Sequence, residues 1–241
     1  MKKVIFSIIV LGTALALFNL FASDNEPDNA TTAVLLLYDQ TPNKKQPLDP
    51  KSVISLFDFE SDKWQGAIIR IVPLTDLSLN PIEQFSIQPA RPLTSNAFDR
   101  QSKIDSFLAR IETVIKQANQ ETTGRSRSEL YVPITGQLNW LSAQSAGKKT
   151  VIIFSDLMEN NDWFSVLREN DLKMLTDSSA QIKKLFLKRT RPKDLSGIEI
   201  YLIHRSRTTD EDKLFLRMSG IYQGIFEERN ANITVGANAI F

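Results

Sequence analysis

The run Ala33–Tyr38, AVLLLY, leaves no polar position on which a solvent-facing side of a sheet could be built, and Asp39 follows it directly. A strand of that composition must be buried on both faces, the pattern of parallel sheets with helices on each side. Val151–Phe154, within TVIIFSD, and Ile198–Ile203, IEIYLI, repeat the pattern. Trp64–Leu74 and Glu83–Gln88 read as two more strands, and Ile233–Val235 and Ala239–Phe241 as material for a final edge strand.

Helical patterns separate these runs. Pro50–Asp58 reads as a short helix, with Asp49 as cap and Pro50 at the first helical position. Asn96–Asn119 places Phe98, Ile104, Phe107, Leu108, Ile111, Val114, Ile115 and Ala118 on one stripe, the face expected to be buried. Ser128–Ser142 and about Asp210–Glu228 read the same way, with a polar helical segment over about Asp162–Arg189. Gly220 and Gly224, one turn apart, are expected to mark close approach to a neighbour. Strands alternating with helices predict an α/β fold: a doubly wound, mostly parallel central sheet with helices on both faces.

The first residues constrain location. Lys2 and Lys3 precede an apolar stretch, Val4–Phe21, that ends in Ala22 and Ser23. Residues 1–23 thus read as a signal peptide or an N-terminal anchor, 24–32 as a polar tether and 33–241 as the domain. From about residue 24 on, the chain is expected to be extracytoplasmic: periplasmic, secreted, or tethered to a membrane through residues 4–21. With no cysteine in 241 residues, disulfides, thiolate metal sites and a cysteine nucleophile are excluded, and the core alone must stabilise the fold. A formal net charge of +1 gives no electrostatic basis for nucleic-acid binding.

Two of the buried runs end in acid. LLLYDQTPN brings Asp39, Thr41 and Asn43; IIFSDLMEN brings Asp156. In neighbouring parallel strands the two carboxylates would reach the same edge of the sheet, where open α/β sheets hold ligands. Between them lies TTGRSRSEL, Thr122–Leu130, with the hydroxyls of Ser126 and Ser128.

This order of parts resembles the von Willebrand factor A-like domain over residues 33–241. That family ends its first strand in Asp-x-Ser-x-Ser, takes a loop hydroxyl after its long helix and a second Asp after its fourth strand, and so forms a metal-ion-dependent adhesion site. The resemblance implies Asp39 as the first Asp, Thr41 and Asn43 in place of the two serines, and Asp156 as the second Asp. Leu157 stands where the family usually has Gly, and either Ser126 or Ser128 supplies the loop hydroxyl. It further implies a divalent cation, Mg²⁺ or else Mn²⁺ or Ca²⁺, held by oxygen ligands. The partner would be another protein with an acidic contact residue, meeting Arg125, Arg127 and Glu159 on the rim. In a form without metal, Arg125 and Arg127 would attract the acidic surface themselves.

Other readings are weaker. Structurally, Asp39 and Thr41 would be turn residues and Asp156 the cap of the following segment. SAQSAGKKT precedes a strand, so it is a connecting turn and not a phosphate loop. His204 is the single histidine, no Gly-x-Ser-x-Gly occurs, and the enzymatic alternative is a metal-assisted hydrolase using Asp39 and Asp156. A third class is a structural component of an envelope complex. The basic run Lys183–Lys193 reads as a solvated helix end, and Trp64, Trp140 and Trp163 as core or half-buried packing.

Overall fold

The computed structural model describes residues 31–40, 47–75, 81–120 and 127–238. Their order is β1 (Thr31–Asp39), α1 (Pro50–Ile54), a 3₁₀ turn (Ser55–Phe57), β2 (Gly66–Leu74), β3 (Glu83–Ile87), α2 (Ala97–Gln120) and α3 (Tyr131–Ser142). Then come β4 (Lys148–Phe154), α4 (Glu169–Asp177), α5 (Ser179–Arg189), β5 (Ile198–Ile203), α6 (Thr209–Glu227) and β6 (Asn232–Gly236). The predicted tether loses its last two residues to the sheet, since Thr31 and Thr32 already belong to β1. The apolar run Val4–Phe21 and the segment Ala239–Phe241 lie outside the described residues; among these, no helix is long and apolar enough to cross a membrane.

One six-stranded sheet has the order β3-β2-β1-β4-β5-β6, parallel throughout except for the β2/β3 pair. β1 sits between β2 and β4, and every residue of it is buried. Alternation along the strand then divides the core in two. Ala33, Leu35 and Leu37 pack with Val151 and Ile153 against side chains of α3, α5 and α6, among them Leu138, Phe186 and Tyr222. Val34, Leu36 and Ile152 pack against Val53 of α1 and against Ile104, Phe107, Ile111 and Ile115 of α2. Helices therefore cover both faces.

Local chemistry sets the element ends. Asp49 accepts from Lys51 N–H (3.1 Å) and Ser52 Oγ (2.9 Å), so α1 starts where its cap predicts. Asn96 Oδ1 accepts from Phe98 N–H (2.8 Å) and starts α2, whose far end is tied by Asn119: its amide donates to Leu48 O and accepts from Leu48 N–H, both at 2.9 Å. The polar segment after β4 resolves into two helices, which meet at Ser178, the end of α4 and the cap position of α5.

Several expectations are corrected. Phe98, assigned to the buried stripe of α2, is 81% exposed, because it lies in the first turn, ahead of Arg100, where the buried stripe of the helix begins. Its expected place in the packing goes to Arg100, which is buried. Arg100 Nε donates to Lys63 O (2.6 Å), Nη1 to Gln88 O (2.8 Å) and Nη2 to Gln65 O, so one guanidinium clamps α2 to the start of β2 and the end of β3. Gly220 meets no neighbour, whereas Gly224 O accepts from Lys183 Nζ at 2.8 Å, so only the second glycine marks a close helix contact.

The clamp predicts a specific loss. Arg100→Ala strands three carbonyls and should cost about 2–3 kcal/mol in urea-unfolding free energy. Arg100→Lys should recover little of it, because one ammonium cannot reproduce a planar fork. Equal stability of wild type and Arg100→Ala would show that the clamp contributes nothing.

Candidate functional site

The register decides which side chains meet at the carboxyl end of the sheet. Tyr38 pairs with Phe154, so the next residues, Asp39 and Ser155, face each other across β1 and β4. Ser155 Oγ donates to Asp39 Oδ2 at 3.1 Å and accepts from Leu157 N–H at 3.0 Å. Asp156 follows immediately, its Oδ1 accepting from Met158 N–H at 3.0 Å in a tight side-chain turn. The chain leaves β1 towards β2 and β3 and later returns to β4 on the other side of β1, so Asp39 and Asp156 flank the point where the winding direction reverses. Ligands of open α/β sheets bind at that crevice.

Ser155 was not singled out by sequence, although it directly precedes Asp156 at the end of an apolar run. Its signal was strand register: a residue one position beyond the last pair necessarily lies beside Asp39. Asp39 is 5% and Asp156 2% exposed, so both carboxyls are buried at the rim.

Leu157 holds a left-handed backbone, φ 57°, with its side chain fully buried. A non-glycine residue there costs about 1–2 kcal/mol. The hydrogen bond from Leu157 N–H to Ser155 and the packing of the leucine side chain offset that cost.

The remaining predicted residues fall into two groups. Thr41, Asn43, Arg125 and Ser126 lie outside the described residues. Ser128 is joined by its main chain to Asn160, N–H to O at 3.1 Å and O to N–H at 2.9 Å, so α3 begins three residues later than the predicted Ser128. Arg127 pairs with Asp162 on the surface, which offsets its charge towards an acidic partner. A cleft of about 320 Å³ lined by Arg127, Glu129, Asn161, Asp162 and Trp163 opens beside that pair.

Glu159 is corrected outright. Expected to touch a partner, it is completely buried. Its carboxylate accepts from Leu130 N–H (3.2 Å) and Tyr131 N–H at the start of α3, from Asn161 Nδ2 (2.6 Å) and from Tyr222 Oη of α6 (3.0 Å). An acid placed there satisfies helix N-terminal donors that no side chain of α3 itself caps. Burial pushes Glu159 up to about 7, against the opposing pull of its hydrogen bonds, and burial beside Glu159 pushes the Tyr222 hydroxyl well above its ordinary range. Periodicity could not reveal this residue, because its partners in α3 and α6, Tyr131 and Tyr222, lie 28 or more positions away.

Hard oxygen donors suit Mg²⁺, Mn²⁺ or Ca²⁺. The described rim offers the carboxylates of Asp39 and Asp156 with the Ser155 hydroxyl beside them. Among the described residues no three acidic or histidine side chains are grouped as a metal site. His204, after β5, packs on Phe215 (5.0 Å between rings) with Glu211 at 3.3 Å.

No protein-family description matches the chain, and no curated protein does. Among solved structures it is similar to a point mutant of the PilB minor pilin from Streptococcus sanguinis, with 10% identity and a TM-score of 0.44. The match covers 91% of this chain and 59% of the pilin, so the chain spans less than two thirds of that protein.

Two outcomes follow from these buried groups. Because the folded-state pKa of Glu159 lies above its ordinary 4.5, its stabilising contribution is complete below pH 4.5 and lost as pH rises through about 7. Urea unfolding from pH 4 to 8 should show wild type losing about 3 kcal/mol relative to Glu159→Gln over that window; parallel curves would contradict the assignment. At position 157, Leu→Ala and Leu→Gly should each cost about 2–4 kcal/mol. The usual order should be inverted, with glycine at least as stable as alanine because φ is positive.

Proposed function

We propose that the chain is an extracytoplasmic protein-binding module of von Willebrand factor A-like, doubly wound architecture, which takes its partner at the carboxyl-terminal rim of the sheet. The observation that carries this reading is the placement of Asp39 and Asp156 at the ends of β1 and β4, where the winding of the sheet reverses. The strand order, with its single antiparallel strand β3 at one edge, supports the architecture.

In this reading Asp39 and Asp156, with Thr41, Asn43 and either Ser126 or Ser128, hold a divalent cation. The cation supplies an open coordination position for an Asp or Glu of the partner. Ser155 orients Asp39, and the left-handed turn at Leu157 fixes the direction in which the loop leaves the rim. The cleft beside Arg127, Asp162 and Trp163 receives the flanking part of the partner surface.

Calorimetric titration of the full chain with MgCl₂, MnCl₂ and CaCl₂ tests the cation. Binding should be saturable in wild type and weakened at least about tenfold, 1.4 kcal/mol, in Asp39→Asn and Asp156→Asn. Chemical cross-linking in native membranes should then yield a protein adduct that those variants and chelator both diminish. Adduct yields that neither variant changes would overturn the rim as the binding surface. Metal-dependent hydrolysis of phosphate or carboxyl esters, lost in Asp39→Asn, would identify a hydrolase instead.

A further inference from the structure

Two large apolar side chains stand in water at the end of the molecule opposite the rim: Leu93 is 99% and Phe98 81% exposed. Leu93 lies in the connection from β3 to α2, which is held by main-chain bonds, and Phe98 in the first turn of α2. Thr94 and Ser95 N–H donate to Arg91 O at 3.2 and 3.0 Å, Ala90 N–H donates to Trp64 O at 2.8 Å, and the Arg100 clamp closes the same corner. A fixed backbone therefore presents both side chains outward. Scattered apolar exposure is ordinary, but two such groups five positions apart on one braced turn are not scattered.

The described chain begins at this end. Thr31 pairs with Gly66, and a Cβ on Gly66 would fall 2.4 Å from Thr31 Oγ1 and 2.9 Å from Pro89 Cδ, so Thr31 and the segment leading to Leu93 share one corner. Nine residues, Ala22–Ala30, separate Thr31 from the apolar run Val4–Phe21. Fully extended they reach about 32 Å at most. A domain anchored by that run is attached to the bilayer through this corner. Trp64, half-buried with Lys63 Nζ 5.1 Å from its ring, lies alongside, the residue pair that favours a membrane–water boundary.

We infer that this corner rests on a lipid bilayer, with Leu93 and Phe98 entering the boundary between headgroups and acyl chains. The inference rests on the extracytoplasmic, tethered reading, but not on the rim site. Since the chain contains no cysteine, single labels can be placed freely. The full chain is reconstituted in phosphatidylcholine vesicles with a fluorophore on Leu93→Cys, Phe98→Cys or, as control, Arg207→Cys, exposed at the opposite rim after β5. Lipids carrying a nitroxide near the headgroup should quench positions 93 and 98 and spare 207. Leu93→Ser combined with Phe98→Ser should abolish the hydrogen-exchange protection that residues 91–98 gain on reconstitution.

Equal quenching at all three positions, or none at 93 and 98, overturns the inference. Protection that appears only on adding a second protein makes the corner a protein-binding face, and protection that rises with chain concentration in lipid-free detergent makes it a self-association face; either refutes bilayer contact. Asp39→Asn leaves the quenching intact, so failure of the rim reading and failure of this one are separable.

Discussion

Burial of β1 on both faces is the constraint from which the rest of the structure follows. Leu35, Leu36 and Leu37 are consecutive and wholly excluded from water, which a one-sided sheet cannot achieve. Each leucine removed from solvent contributes about 1.5–3 kcal/mol. Collecting that stabilisation requires a strand on each edge and a helical layer on each face, hence β2 and β4 at its sides and two separate cores. Backbone polar groups so deeply buried must be paired, and the parallel ladders to β2 and β4 do this along the strand.

The same constraint creates the polar rim. A strand without polar positions can meet water chemistry only at its end, and there Asp39, Ser155, Asp156 and Glu159 stand within a few residues of the last ladder pairs. Their burial makes each hydrogen bond consequential, because an unpaired partner in that setting loses its full solvation. Glu159 illustrates the division of labour. It joins the start of α3, the loop after β4 and Tyr222 of α6 into one unit, so the floor of the rim is set by three elements that are remote in sequence.

Sequence made the sheet legible because its strands are either wholly apolar or strictly bounded. Ile198–Ile203 appears with the predicted ends, and the cap at Asp49 acts as expected. Phe98 was misassigned because periodicity records which face a residue shares, not where the covered length of a helix begins. Arg100 escaped notice because a charged residue on a buried stripe gains its place only through carbonyls brought from β2 and β3. In the site, Asp39 and Asp156 were visible as strand-end acids. Ser155 needed the register, and Glu159 needed tertiary partners that no local pattern encodes.

One helix joins the two ends of the molecule. α2 runs 24 residues, about 36 Å, from the Arg100 clamp at one edge to the Asn119–Leu48 pair at the other. Pinned at both ends and packed along its length, it is a strut with no hinge, and a pull exerted at one extremity is transmitted along its axis instead of being absorbed by bending. The distance between those two extremities is thereby set by helical pitch and not by tension in the chain.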